Sequence, residues 1–206
     1  ETWTAIRGAI GSRPLWIVAG FIFFYNFSPS FGPALTYYST DVLHFSKLFI
    51  GTLDSIQYAS GAVGAALYFG LSKSVPFNRL IHFIIGAGVI ATLAYLGYVG
   101  QLSAVVIALT FGAVGMIIQL TLLDLAAKAC PKQAEGTFFA LLMSVFNAAV
   151  QVSQITGGWL YDRVGFTNLI LISAAFTAAC WLLIPLLNPR QYDARSAPPE
   201  AVPASG

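Results

Sequence analysis

The chain has 206 residues, of which 57% are hydrophobic and only 9% are charged. About 25% of the residues of an ordinary soluble domain are charged, so this composition excludes a typical soluble enzyme and a disordered protein. The net charge of +2 and the two cysteines give no indication of a nucleic-acid partner, a disulfide scaffold or a metal cluster. The composition therefore predicts an integral, multi-pass membrane protein surrounded by the lipid bilayer.

Long stretches with almost no charged residue predict an all-α membrane protein with six transmembrane helices. A hydrocarbon core of about 30 Å needs roughly 20 helical residues, and each stretch is at least that long. The predicted helices cover residues 14–40, 46–72, 77–98, 102–128, 135–160 and 165–187. Six spans that divide at Gly97 into two groups of three fit the 3+3 inverted repeat of a transporter half.

The distribution of basic residues predicts the orientation of the six-helix domain, residues 14–189. The side that carries both termini has eight basic residues: Arg7, Arg13, Lys73, Arg79, Lys128, Lys132, Arg190 and Arg195. The opposite side has only Lys47 and Arg163. Positive charge accumulates on the cytoplasmic side, so we expect a cytoplasmic linker, 1–13, and a disordered cytoplasmic tail, 190–206, at the cell (inner) membrane. The chain begins with Glu1 rather than Met, and we expect it to be a segment of a longer protein.

The first predicted helix is interrupted in the middle of an uncharged stretch. Pro29 and Pro33 lie there, and proline removes a backbone donor from a helix. Broken helices often mark the binding site of a transporter, so we predict that Tyr25 and Asn26 bind the solute. A proline kink that serves packing alone is the alternative. The aromatic residues around Asn26 could stack on a ring of the solute, or they could face lipid or the core.

Asp54 is the one carboxylate that lies well inside a predicted span, about 12 Å from its outer end at 1.5 Å per residue. An ionisable group at such a depth is expensive and is often functional. We predict that Asp54 couples transport to protons and that Gln57, three residues later on the same helix face, binds the solute. A vestibule carboxylate that is bonded to a neighbouring helix is the alternative.

The fifth predicted helix carries a second polar face, on which amides recur at helical spacing. Asn147 and Gln151 lie deepest in it, and each amide can donate and accept hydrogen bonds. We predict that both bind the solute. Hydrogen bonding between helices is an equally good interpretation.

Charged residues near the cytoplasmic end of the fourth predicted helix form a predicted gate. Asp124 and Lys128 are four residues apart, and Glu135 follows after a short loop. A solvated ion pair at the membrane interface is the alternative. The sequence contains no catalytic constellation, phosphate loop or metal-ligand spacing, so we predict no enzyme activity, no cofactor and no metal site.

The loop after the fifth predicted helix has the pattern G-x-x-x-D-R-x-G, residues 158–165, which is typical of the major facilitator superfamily. Gly158 would let two helices approach closely, Asp162 would cap the next helix, and Arg163 would stay at the interface. A simple polar turn is the alternative.

Further motifs give the chain a resemblance to one family. These motifs are Phe27-Ser28-Pro29-Ser30 followed by Tyr37-Tyr38, Leu67-Tyr68 before Val75-Pro76-Phe77, Asp124 to Pro131, and Glu135 to Val145 with Asn147. Together they resemble the C-terminal six-helix half of the folate–biopterin transporter family. The resemblance implies a major facilitator fold, carriage of a pterin, a folate or a related small solute, and a partner in the form of a preceding homologous half or a second copy.

These features predict a secondary active transporter that works by alternating access and is coupled to protons. A major facilitator transporter of a different solute is the first alternative. A membrane scaffold or receptor that transports nothing is the second, although the interrupted helix and the polar faces would then reduce stability without serving a cavity.

Overall fold

The computed structural model describes residues 13–189 and Tyr192, and every regular element among them is helical. The helices are α1 (Arg13–Asn26), α2 (Gly32–Tyr37), α3 (Lys47–Ser74), α4 (Phe77–Ala94), α5 (Gln101–Ala129), α6 (Glu135–Ala179) and α7 (Ile184–Leu187). A π-helical turn, Tyr38–Val42, extends α2, and 3₁₀ turns follow α4 and α6 at Tyr95–Gly97 and Cys180–Leu183. The predicted linker and tail lie outside the described residues, apart from Arg13 and Tyr192, and Tyr192 is buried against Phe77.

The helix ends follow from local sequence. The Ser46 hydroxyl accepts a hydrogen bond from the Phe49 amide (3.2 Å) and caps the start of α3. Pro76 immediately precedes α4 and separates it from α3, because proline can start a helix but cannot continue one. At the start of α5 the Ser103 hydroxyl accepts from the Gly100 amide (3.1 Å). The ends of the third and fourth predicted helices are therefore confirmed to within a few residues.

The first predicted helix is broken, as the sequence indicates. Residues 27–31 are not helical, and α1 and α2 lie on either side of them. The side chains of α1 that are buried recur every three or four residues, which is the pattern of one apolar helix face. They include Leu15, Val18, Ile22 and Tyr25.

The long helix α6 doubles back on itself at Gly165. This glycine has φ 77° and ψ 174°, a conformation that is not helical and that glycine adopts without strain. Ser153 and Ser173 both form hydrogen bonds with the segment 28–30. A straight helix would separate two residues twenty positions apart by about 30 Å. The two limbs, 135–164 and 166–179, therefore lie side by side, as a turn between the fifth and sixth predicted helices requires.

The G-x-x-x-D-R-x-G pattern acts differently from the prediction. A Cβ on Gly158 would meet no described atom within 4 Å, so no other segment packs closely against this glycine. The close approach occurs at Gly157, where a Cβ would lie 2.7 Å from the Ser30 carbonyl carbon. Within the described chain Asp162 makes no hydrogen bond, and Gly165 rather than a capped loop produces the turn. Arg163 lies over the Trp159 ring at 3.7 Å.

Three helical stretches among the described residues are long and apolar enough to cross a membrane: Phe77–Gly97, Gln101–Ala129 and Glu135–Leu187. Because the third stretch contains the reversal at Gly165, its two limbs run back and forth. With 14 residues, α1 is shorter than the roughly 20 that a bilayer needs. Although α3 has 28 residues, it is less apolar, since Asp54, Gln57 and Ser60 interrupt it.

The buried side chains form two clusters. The larger one joins α1, α4, the second half of α5, the first limb of α6 and the segment from Cys180 through α7, with Ile22, Ile85, Leu125 and Leu142 fully buried in it. The smaller one lies where α3 meets the first half of α5 and includes Phe45, Leu53 and Tyr98. The break between α1 and α2 is held against α6, next to the larger cluster.

Candidate functional site

Serine side chains from both limbs of α6 satisfy the polar backbone of the broken segment. The Ser153 hydroxyl donates to the Ser28 carbonyl, and the Ser173 hydroxyl donates to the Pro29 carbonyl. In return, the Ser28 hydroxyl donates to the Ser173 carbonyl (3.0 Å) and the Ser30 amide donates to the Ser153 carbonyl (3.2 Å). Backbone groups that a helix break leaves unpaired are costly in an apolar environment, so these bonds make the break tolerable.

A cavity of about 340 Å³ opens beside this segment, between the break, α4, α5 and α6. One part of its wall is polar and carries the hydroxyl groups of Ser28, Ser30, Thr92, Ser153, Ser173 and Thr177. Another part is aromatic and consists of Phe31, Tyr95 and Phe111. Every described residue that lines the cavity is uncharged. We call this space the break cavity.

Tyr25 and Asn26, which the sequence predicts to bind the solute, both line the break cavity. The Tyr25 ring is buried, and its hydroxyl donates to the Ile84 carbonyl (3.1 Å). The Asn26 amide nitrogen donates to the Ile22 carbonyl (2.8 Å) within α1. Tyr25 is therefore occupied by a structural contact, whereas the side-chain oxygen of Asn26 has no partner among the described residues.

The aromatic residues around Asn26 pack mainly on one another and on α6. The Phe24 ring stacks on Phe176 at 4.4 Å, and the Phe23 ring stacks on Phe27 at 5.6 Å. Apart from Tyr25, the aromatic residues that line the break cavity are Phe31, Tyr95 and Phe111. Phe31 and Tyr95 lie 4.7 Å apart there. The sequence patterns did not indicate this pair, although Phe31 is part of the broken segment and Tyr95 directly follows α4.

Asp54 and Gln57 lie at a different place. They line a second, smaller cavity of about 70 Å³ between α2, α3 and the start of α5. The Ser39 hydroxyl donates to the Tyr98 hydroxyl (3.2 Å) in the same cavity. Both Asp54 and Gln57 are exposed, and neither lines the break cavity, so the structure separates them from Tyr25 and Asn26. Tyr95 lines both cavities.

Asn147 and Gln151 are also exposed and lie away from the break cavity. On the same helix, Val150 and Ser153 line it instead. The five residues that the sequence groups as one binding site therefore fall into three places. Because an α-helix completes one turn every 3.6 residues, side chains one or two positions apart lie on different faces.

Two of the three predicted gate residues form an ion pair. The Lys128 ammonium lies 2.7 Å from the Asp124 carboxylate, one turn apart on α5, and the Tyr68 hydroxyl of α3 donates to the same carboxylate (3.2 Å). Lys128 also lies over the Phe77 ring at 4.2 Å. Glu135, by contrast, is exposed and forms no salt bridge within the described part of the chain. The contact with Tyr68 ties this end of α3 to α5.

A helical chain with long apolar helices has the architecture of an integral membrane protein. The chain belongs to the BT1 family, which it matches over residues 2–189. No solved structure matches it significantly.

Three relatives carry names that describe transport. The folate-biopterin transporter of Synechocystis sp. is 28% identical over 201 residues, which is 90% of this chain and 40% of that protein. Probable folate-biopterin transporters 4 and 2 of Arabidopsis thaliana are 27% and 31% identical, over 68% and 69% of this chain and 30% and 31% of theirs. The chain thus spans less than half the length of these relatives. Their names describe transporters, in agreement with the prediction that this chain is not an enzyme.

Proposed function

We propose that the protein is a secondary active transporter that carries a small organic solute of the pterin or folate type by alternating access. The observation that carries this proposal is the break cavity, which is polar on one side and aromatic on the other and lies in a chain of the BT1 family. Three relatives named as folate-biopterin transporters or probable ones supply the solute class.

We also propose that the chain forms six spans in a 3+3 arrangement, as in the C-terminal half of a major facilitator transporter. The helix break counts as an interruption within the first span, and the reversal at Gly165 supplies the last two. The eight-to-two division of basic residues supports cytoplasmic termini and a cell-membrane location.

The exposed polar faces support a second six-helix unit as the partner of this one. The side chains of Asp54 and Gln57 on α3, and of Asn147 and Gln151 on α6, are exposed in the described part of the chain. Amides and carboxylates are rarely placed toward lipid, because a polar group in hydrocarbon is costly. A preceding homologous half or a second copy would enclose these faces and bring them toward a shared pathway. Asp124, Lys128 and Glu135 would then lie at its cytoplasmic end as a gate.

Uptake into proteoliposomes tests the proposal. The complete gene product is purified, reconstituted, and offered radiolabelled biopterin or folate with and without an inward proton gradient. We expect saturable uptake that a proton gradient drives above equilibrium. Liposomes without protein and a proton ionophore are the controls, and uptake that never exceeds the control level would refute a transporter of this solute class.

Asp54→Asn tests the proposed coupling residue, because asparagine keeps the shape of the side chain but cannot bind and release a proton. We expect this variant to lose uphill uptake while it retains solute exchange at zero gradient. Asp41→Asn is the matched control, since Asp41 is a carboxylate that lines another cavity. If Asp54→Asn accumulates solute as well as the parent does, Asp54 plays no part in coupling.

A further inference from the structure

We propose that the break cavity holds the bicyclic pterin ring of the solute, and that Tyr95 and Asn26 recognise its polar edge. The anionic tail of a folate would then lie outside the cavity. This inference rests on the proposed function and deepens it, because it states which part of the solute is bound and by which residues.

The size of the cavity fits a ring better than a whole folate. Sites for drug-sized molecules measure about 300–1,000 Å³, and the break cavity of 340 Å³ lies near the lower end. A folate adds a p-aminobenzoyl group and a glutamate to the pterin ring, so its full length exceeds such a space. A pterin with a short side chain, such as biopterin, needs little more room than the ring.

The electrostatics of the cavity lead to the same conclusion. All of the described residues that line it are uncharged, so the carboxylates of a glutamate tail would find no countercharge among them. Burial of an unpaired carboxylate is strongly unfavourable. The pterin ring is neutral near pH 7 and carries both hydrogen-bond donors and acceptors along its amino-oxo edge. Hydroxyl and amide groups match such an edge, because they donate and accept equally well.

The walls offer an aromatic surface together with hydrogen-bonding atoms that have no partner among residues 13–189. Tyr95 is half-buried between Phe31 (4.7 Å) and Phe111 (6.3 Å). Its hydroxyl makes no hydrogen bond to any described residue, and neither does the side-chain oxygen of Asn26. Aromatic rings stabilise a planar heterocycle by offset or edge contacts. A pterin ring stacked on Phe31 would direct its amino-oxo edge toward the Tyr95 hydroxyl and the Asn26 side-chain oxygen.

Equilibrium binding to the purified complete gene product tests the inference with three probes. Biopterin contains the ring alone with a short side chain, folic acid contains the ring and the anionic tail, and p-aminobenzoylglutamate contains only the tail. Tyr95→Phe removes one hydroxyl and keeps the aromatic wall. Tyr37→Phe is the matched control, because it removes the same group from a tyrosine that is 62% exposed and lies outside the break cavity.

We expect Tyr95→Phe to weaken biopterin and folic acid by the same factor, about fivefold for one hydrogen bond. We expect Tyr37→Phe to bind like the parent, and p-aminobenzoylglutamate not to displace biopterin. Equal melting temperatures of the parent and both variants would show that the change is local. Asn26→Ala provides a second test and should also weaken both ring-containing probes equally.

Two results would overturn the inference while the proposed function stands: unchanged binding by both Tyr95→Phe and Asn26→Ala, or displacement of biopterin by p-aminobenzoylglutamate. A parent protein that binds neither biopterin nor folic acid would instead refute the proposed function, and the inference with it.

Discussion

Two close packing contacts, which we call seams, share the same structural features but differ in what those features stabilise. Where α3 crosses α5, Gly64 lies against the backbone of Ala113, and the Ser60 hydroxyl accepts a hydrogen bond from the Ala113 amide (3.1 Å). Where the broken segment meets α6, Gly157 lies against the backbone of Ser30 and serine hydroxyls bridge the contact. Both seams therefore combine a glycine that permits close approach with a buried hydroxyl.

The two seams differ in whether the hydroxyl supplies a hydrogen bond that the backbone would otherwise lack. At the α3–α5 seam both helices are continuous, so the Ser60 bond adds to backbones that are already paired. At the broken segment the hydroxyls of Ser153 and Ser173 bind carbonyls that a continuous helix would pair itself. The first seam is a rigid packing contact, whereas the second holds an unwound segment in place beside a cavity. Side chains from a neighbouring helix can therefore support a non-helical segment beside a cavity.

The largest expected effect comes from filling the rigid seam. Gly64→Val adds a branched side chain where even a Cβ would lie 2.7 Å from the Ala113 Cα, and neither backbone can move far. We expect the variant to lose at least about 1–3 kcal/mol of stability, the usual cost of overpacking. Gly51→Val on the same helix is the control, because a Cβ there meets nothing within 4 Å. Thermal unfolding in detergent measures both, and equal melting temperatures would contradict a rigid seam.

A smaller effect is expected at the second seam, where adjacent glycines make a matched pair. In Gly157→Ala the new Cβ would lie 2.7 Å from the Ser30 carbonyl carbon, whereas in Gly158→Ala it meets open space. Because the unwound segment can shift, we expect Gly157→Ala to fold with reduced stability and with weakened solute binding. Alanine stabilises a helix by about 0.5–1 kcal/mol relative to glycine, so Gly158→Ala should be neutral or more stable. Identical behaviour of the two variants in unfolding and binding assays would disprove the contact.

The smallest effect is expected from the loss of one bridging hydroxyl. Ser173→Ala leaves the Pro29 carbonyl without its donor. We expect a loss of about 1 kcal/mol, since net hydrogen bonds contribute about 0.5–1.5 kcal/mol in water and average about 0.6 kcal/mol in a membrane. Ser144→Ala is the control, because Ser144 is exposed and bonds only within its own helix, to the Ala140 carbonyl. Chemical unfolding in mixed micelles compares the two, and an equal loss would show that the bridge has no special role.

Much of the fold was predictable because helix ends are encoded locally. Pro29 and Pro33 indicate the break, Pro76 marks the start of α4, and Gly165 marks the reversal of α6. These residues act through their own backbone preferences, which a single sequence reveals.

The site was harder to predict because it depends on which face of each helix turns toward the cavity. Asn147 and Gln151 have the composition expected of a binding face, yet they are exposed, and Ser153 lines the break cavity instead. Tyr95 reaches the cavity from the end of α4, far from Phe31 in sequence. The rotation and pairing of helices follow from tertiary packing, which the periodicity of one helix does not determine. The serine bridges could have been suspected from the carbonyls that a broken helix must leave unpaired.

We propose that the solute occupies the break cavity. A single cysteine in that cavity should then be protected from labelling when the solute is bound. Ala91 lines the cavity on α4, while Leu93 on the same helix does not. Each is replaced by cysteine in a background without the two native cysteines, Cys130 and Cys180, which are both buried. Native Cys130 would react slowly in any case, because burial and, to a lesser degree, the nearby Glu135 carboxylate raise the pKa of its thiol. We expect saturating biopterin to slow the modification of Ala91→Cys by a thiol reagent and to leave the modification rate of Leu93→Cys unchanged. Equal labelling rates of Ala91→Cys with and without biopterin, in protein shown to bind it, would contradict the account.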